Sequence, residues 1–213
     1  MAPTTPEPIA VAILAKAPVA GAVKTRLIPA LGADGAAALQ ERLIARTVET
    51  ACAAAIGPVT VWVTPAPVHP CFARLASLHQ TGLAVQPDGD LGARMLAACE
   101  AAGGPAIVIG TDCPAMTAAH VREAAAVLRA GNDAVVIPAE DGGYVLIGSR
   151  SPQPGLFVEM TWGIETVMAE TRGRLARNAL SWREPALLWD VDRPEDIARL
   201  RMAGLGQLID QRK

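Results

Sequence analysis

The feature that most constrains this chain is a series of short apolar runs, each closed by a turn and followed by a stretch of good helix formers. Ile9–Leu14 (IAVAIL) and Pro105–Gly110 (PAIVIG) carry no charge, as expected of strands covered on both faces. Pro58–Thr64 (PVTVWVT) is short and β-branched, again a strand. Leu83–Gln86, Ala134–Ile137, Tyr144–Gly148 and Ala186–Val191 are further strand candidates. Helices are expected from Asp34 to about Ala55, around Val68–Leu78, from Asp90 to about Ala102 and from Thr117 to about Ala130. Two more are expected over Ile164–Ala176 and from Pro194 onward. Asp34, Asp90 and Thr117 stand where an N-cap oxygen is wanted, and Pro194 where a missing N–H costs nothing. Strands alternating with helices require crossovers, so the chain reads as α/β, with a mostly parallel central sheet and helices on both faces. One domain over residues 9–213 is expected, with residues 1–8, rich in Pro and Thr, as a frayed N-terminus.

Composition narrows the partners. Aromatic residues make up 3% of the chain and the net charge is −2, which argues against stacked single-stranded nucleic acid and against a polyanion. Cys52, Cys71, Cys99 and Cys113 form no C-x-x-C pair and no zinc spacing, so they read as reduced thiols in a cytoplasmic protein. The first residues lack the pattern of a signal peptide, and no stretch reaches the roughly 18 apolar residues of a membrane span. His69, His79 and His120 have no partner pattern and receive no role.

In an open parallel sheet, ligands bind beyond the carboxyl ends of the strands, so the loops after the strands are where chemistry is sought. The first loop follows strand one directly and places Lys16, Lys24 and Arg26 within eleven residues, punctuated by Pro18 and Gly21. Such a cluster suits a diphosphate or triphosphate, with arginine binding in two-pronged fashion and lysine as a point charge. It is neither a Walker A loop, since Val23 precedes Lys24, nor a dinucleotide G-x-G-x-x-G.

Two acids end strands far apart in the chain: Asp112 in Thr111-Asp112-Cys113-Pro114, and Asp192 in Asp190-Val191-Asp192-Arg193-Pro194. One or two carboxylates, completed by water and phosphate oxygens, is what magnesium takes. Asp190 and Asp192 are expected to face opposite sides of an extended segment, so that one of them reaches the metal. Asp192 has a competing reading as the N-cap of the last helix, and Asp112 as a turn residue before proline.

The remaining loops carry weaker signals. Glu140-Asp141-Gly142-Gly143 is a hairpin signal, or else a place where backbone approaches an acceptor with Asp141 or Glu140 in contact. Gly89–Arg94 enters a helix and can bring Arg94 to a ligand. Trp162 can pack on a base or sugar, or equally in a core.

Taken in order, Lys16-Ala-Pro, Gly21-x-x-Lys24-Thr-Arg26-Leu, Gly89-Asp-Leu-Gly-x-Arg94-Met, Gly110-Thr-Asp112-Cys-Pro, Glu140-Asp-Gly-Gly-Tyr144, Trp162-Gly163 and Asp190-Val-Asp192-x-Pro-Glu-Asp196 resemble a bacterial family of radical-SAM/selenodomain-associated transferases. That family is sometimes labelled arsenosugar biosynthesis glycosyltransferase, and the resemblance runs over about residues 9–203. It implies the nucleotide-diphospho-sugar transferase superfamily and a GT-A fold. The first loop and the late Asp-x-Asp-x-Pro-Glu-Asp also resemble 2-phospholactate guanylyltransferase, whereas the Gly-Gly-x-Ser-x-Arg loop of molybdenum-cofactor-type nucleotidyltransferases is missing. The resemblance implies Lys24 and Arg26 on donor phosphates, with Lys16, Gly21 and Arg94 also at the donor, and Asp112 and Asp192 on Mg2+ or Mn2+. Asp141 would position or deprotonate an acceptor in glycosyl transfer. The expected activity is nucleotidyl transfer from a nucleoside triphosphate to a small phosphorylated acceptor. The alternatives are glycosyl transfer from a nucleotide sugar, or a nucleotide-binding module without turnover.

Overall fold

A computed structural model describes residues 6–65 and 69–210. Val68, the expected start of the second helix, lies outside the described residues, as do residues 1–5 of the N-terminal segment. In chain order the strands are β1 (Ala10–Lys16), β2 (Val59–Thr64), β3 (Gly82–Val85), β4 (Ala106–Gly110), β5 (Ala134–Pro138), β6 (Tyr144–Ser149) and β7 (Trp182–Arg183). The helices are α1 (Ile28–Ala54), α2 (Pro70–His79), α3 (Leu91–Ala102), α4 (Ala118–Arg129), α5 (Val167–Arg177) and α6 (Pro194–Met202).

The strands form one sheet in the order β3-β2-β1-β4-β6-β5-β7. All pairings are parallel except those of β6, which runs antiparallel between β4 and β5. The expected α/β architecture, mostly parallel with helices on both faces, is what the chain adopts. Burial follows from the period of two along each strand. Val11, Ile13 and Ala15 of β1, with Ile107 and Ile109 of β4, pack under Ile44 and Val48 of α1, Phe72 of α2 and Val121 of α4. Ala12, Val108 and Val136 point the other way, against Met95 and Ala98 of α3 and Met168 and Leu175 of α5.

A third apolar cluster positions the loops. Leu27, Leu39 and Leu43 from the first loop and α1 meet Trp189, Val191, Leu200 and Leu208 from the end of the chain. It locks the residues following the first loop to the segment before α6, at the rim where β1 and β4 end.

Several expectations need correction. The first long helix is preceded by a short helical stretch from Ile28 and resumes after a break at Gly32, whose φ is 71°, close to the expected start at Asp34; Leu27, before the first stretch, makes no side-chain cap. Ala186–Val191 is not a strand. It follows β7 along the same edge of β5 but keeps only an isolated parallel bridge, Ala139 to Leu188, with Leu188 N–H donating to the Pro138 carbonyl (3.0 Å) and Glu140 N–H to the Leu188 carbonyl (2.9 Å); Pro185, between β7 and the bridge, lacks the N–H that would extend the ladder. Asp192 does not cap α6. The Asp196 carboxylate accepts from the backbone N–H of Asp192 (2.9 Å) and of Arg193 (2.7 Å) and does that work. Asp90 and Thr117 cap α3 and α4 as expected, accepting from Ala93 and His120.

The Glu140–Gly143 segment is the hairpin turn joining β5 and β6. Gly142 has φ +90°, and a Cβ there would sit 1.9 Å from the Glu165 carbonyl oxygen. Its own carbonyl accepts from Met168 N–H (2.8 Å), so the turn is clamped to the start of α5. Gly142→Ala combines a left-handed backbone with a backbone clash and should cost about 2 kcal/mol or more in urea unfolding. A loss below about 0.5 kcal/mol, the scale of an ordinary surface change, would contradict this clamp.

Candidate functional site

The carboxyl ends of β1, β2, β3 and β4, the start of β6 and the segment before α6 surround one open cleft of about 650 Å³. Lys16, Lys24, Arg26 and Arg94 line it, together with Asp112, Asp190 and Asp192. Two cations of the first loop are paired with acids. The Lys24 ammonium lies 2.7 Å from Asp112 Oδ1, and Arg26 donates to Asp192 Oδ2. Lys24 also donates to the Val191 carbonyl (2.6 Å), while the Val191 N–H donates to the Asp112 carbonyl (2.8 Å). These contacts join the first loop, the end of β4 and the late acidic segment at one point. Exposure differs sharply along the loop: the Lys24 side chain is 4% exposed, that of Arg26 66%.

Asp190 and Asp192 do not face opposite sides. In an extended segment residues two apart share a side. Trp189 and Val191 enter the third apolar cluster, and Asp190 and Asp192 both line the cleft. Burial raises the Asp190 carboxyl to about 6, with the neighbouring charges of Asp141 and Asp112 adding to the rise and Lys24 opposing it.

The other expected residues divide. Arg94 reaches the cleft from the first turn of α3, and its Nε is buried without an acceptor among the described residues. Lys16 lines the cleft and donates to the Ala22 carbonyl (2.8 Å), which folds the first loop back on itself. Gly21 supplies the left-handed turn of that loop, at φ +80°, and is not among the residues lining the cleft. Asp141 accepts from Gly143 N–H (2.9 Å) in its own turn and is exposed. Glu140 accepts from both terminal nitrogens of the Arg199 guanidinium, which keeps its carboxyl below the ordinary range. Trp162 packs against Gly92 and lies edge-on to Tyr144 at 6.3 Å, beside rather than within the cleft.

Sequence reasoning missed Tyr144, Gln40, Thr111 and Gln86 in the lining. Gln86 directly follows β3, so the rule that favours strand ends had placed a signal there. Its amide donates to the carbonyls of Ala15 (3.2 Å) and Trp62 (2.8 Å), tying β1 to β2 at the rim. Gln40 is buried inside α1 and reaches Thr111 Oγ1 at 3.3 Å; nothing in a helical repeat marks it.

The donor set suits a hard divalent cation. Asp112 and Asp192 each have one oxygen engaged by a cation, and their side chains are 49% and 40% exposed. Among the described residues no group of three or more His, Cys, Asp and Glu side chains forms a complete ligand set. A metal here would take one or two carboxylates and fill its other positions from solvent and ligand oxygens, as Mg2+ does.

Asp190 binds its proton more tightly folded than unfolded, so its contribution to stability is fullest below about pH 4 and is lost as pH rises through about 6. Asp190→Asn should therefore gain stability over the native protein on going from pH 4 to pH 7 in urea titrations; a difference independent of pH would contradict the burial of this carboxyl. Asp112→Ala leaves the buried Lys24 ammonium without its counter-charge and should cost about 2 kcal/mol, with Asp112→Asn costing less. A loss below about 0.5 kcal/mol from Asp112→Ala, the scale of an ordinary surface change, would show that the Lys24 contact is unimportant to stability.

Comparison with known proteins supports this geometry at the level of fold. A search of curated proteins found no match to the chain. Among solved structures, a candidate nucleotide-diphospho-sugar transferase from Desulfovibrio desulfuricans G20 superposes with a TM-score of 0.80 at 26% identity, over 94% of this chain and 93% of the other. A CMP:2-keto-3-deoxy-manno-octonic acid synthetase complexed with CTP gives 0.59 at 12% identity, over 94% and 100%. Glucosyl-3-phosphoglycerate synthase from Mycobacterium tuberculosis, in complex with Mn2+, UDP and glucosyl-3-phosphoglycerate, gives 0.55 at 12% identity, over 95% and 78%. The fold is thus that of the nucleotide-diphospho-sugar transferases. Among the described residues no helix is long and apolar enough to cross a membrane. A family model matches residues 47–164, more than half of the 213, and the chain belongs to that family, described as "Uncharacterized protein conserved in bacteria (DUF2064)".

Proposed function

We propose that this protein is a metal-dependent transferase that takes a nucleoside triphosphate and moves its nucleotidyl group to a small phosphorylated acceptor. The observation that carries the reading is the single cleft in which four cations and three carboxylates converge at the strand ends. With Lys24 committed to Asp112 and the Val191 carbonyl, Lys16, Arg26 and Arg94 leave three cations for the ligand, which suits a triphosphate better than a nucleotide sugar's diphosphate. The solved structures of this fold include one holding CTP and one holding Mn2+ and UDP, which supports a nucleotide and a divalent ion as ligands.

In this reading an acceptor phosphate oxygen forms a bond to the α-phosphorus, the bond from that phosphorus to the bridging oxygen breaks, and pyrophosphate leaves with the electron pair. The exposed Arg26 and Lys16 meet the departing phosphates, where charge accumulates. Arg94, which lines the cleft from α3 with an Nε that has no partner among the described residues, meets the nucleotide or the acceptor. Asp112 and Asp192, with Asp190 beside them, would hold Mg2+ or Mn2+. That ion would supply charge neutralisation at the phosphates. The acceptor, already an anion, needs no general base.

A second reading, glycosyl transfer from a nucleotide sugar, is favoured by the 26% identity to a candidate nucleotide-diphospho-sugar transferase. There Asp141 would orient the acceptor. Incubation with Mg2+ and each donor class, followed by product analysis, separates the two. We expect pyrophosphate from one nucleoside triphosphate in the presence of small phosphorylated acceptors. Nucleoside diphosphate released from a nucleotide sugar would instead establish glycosyl transfer, and binding without product from either donor would indicate a module without turnover. Arg26→Met should lower kcat/KM by about 100-fold, the scale of one lost transition-state donor; a change under threefold would remove Arg26 from the reaction.

A further inference from the structure

The three cations of the first loop are not equivalent. Lys16 and Arg26 are exposed, whereas the Lys24 side chain is 4% exposed and already makes two short contacts. Its ammonium spans Asp112 Oδ1 at 2.7 Å and the Val191 carbonyl at 2.6 Å. The backbone reinforces the arrangement, because Val191 N–H donates to the Asp112 carbonyl at 2.8 Å. Lys24 itself stands in the left-handed region, at φ 46°, at the start of a short turn of helix that buries Leu27. A residue held in this way is fixed by the fold before any ligand arrives.

The partner is only half committed. Asp112 gives one oxygen to Lys24, and its side chain remains 49% exposed to the cleft. The other anchored atom, the Val191 carbonyl, sits between Asp190 and Asp192, both of which line the cleft. One ammonium therefore sets the orientation of the first acid and the position of the backbone carrying the other two.

We propose that Lys24 is a positioning residue that organises the acids for the divalent cation, and that the phosphates are met by the exposed cations of the same loop. The proposal rests on the transferase reading above and assigns within it a division of labour between neighbours two residues apart. Residues that orient metal-binding carboxylates typically change metal affinity by about 10- to 100-fold when removed. A phosphate ligand would instead weaken polyphosphate binding with or without metal.

The test uses two probes on the whole protein: inorganic tripolyphosphate titrated calorimetrically in EDTA, and Mn2+ titrated by electron paramagnetic resonance without nucleotide. For Lys24→Met the tripolyphosphate Kd should stay within threefold of the native value, and Mn2+ should bind at least tenfold more weakly. For Arg26→Met the pattern should invert, with tripolyphosphate at least tenfold weaker and Mn2+ no weaker. If Lys24→Met does not fold, Lys24→Gln, which keeps a donor toward Val191 without the charge, is held to the same criteria. Loss of tripolyphosphate binding in the Lys24 variant equal to that in Arg26→Met overturns the proposal. Unchanged or tighter Mn2+ binding overturns it too, since Lys24 would then compete for Asp112 rather than support it. Native protein that binds neither probe overturns the transferase reading, and this inference with it.

Discussion

The bridge from the Lys24 ammonium to Asp112 and to the Val191 carbonyl is the contact on which the candidate site depends. It joins three segments separated by roughly 80 residues each, and no local rule of secondary structure would bring them together. The sheet makes the meeting possible by aligning the carboxyl ends of β1 and β4 as neighbours. The third apolar cluster completes it, because Leu27 and Val191 are both fully buried there and leave their polar neighbours at the rim. Apolar burial thus supplies the driving force, and the ion pair selects the orientation.

The two cation–carboxylate pairs in the cleft differ in what they cost to open. Arg26 and Asp192 are both substantially exposed, and such pairs are worth about 0–1 kcal/mol, so a polyphosphate and a cation can take their places at little expense. Lys24 is buried, and separating it from Asp112 would strand a desolvated charge. Even without a ligand the cleft holds an interleaved set of opposite charges that suits a ligand which is itself a metal–polyphosphate complex. The carboxyl of Asp190 is raised chiefly by its burial, and the nearby charges of Asp141 and Asp112 add to the rise.

Much of the fold was legible in the sequence because its signals are local. IAVAIL and PAIVIG carry the period and composition of doubly covered strands, and they are the adjacent centre of the sheet. Asp90 and Thr117 announce their helices because an N-cap acts within three residues. The late segment was harder. Ala186–Val191 has the composition of a strand, but beyond β7 it keeps only the Ala139–Leu188 bridge on the edge of β5, with Pro185 interrupting the ladder. Asp192 looked like a helix cap until Asp196, one turn later, proved to accept both N–H groups. The roles of Gln40 and Gln86 rest on contacts 71 residues away along the chain, beyond any local pattern. For the candidate site, strand ends pointed to the loops that line the cleft, where Lys24, Arg26, Asp112 and Asp192 meet. Which of these cations is exposed was illegible, because exposure is set by tertiary packing and not by residue type.

The most direct test of the account is a crystal structure of the protein with Mn2+ and a non-hydrolysable nucleoside triphosphate, with the ion located by anomalous scattering. The account predicts an anomalous peak bound by Asp112 and by Asp190 or Asp192, with the triphosphate lying along Lys16 and Arg26. An ion bound away from Asp112, or a triphosphate seated outside this cleft, would contradict it.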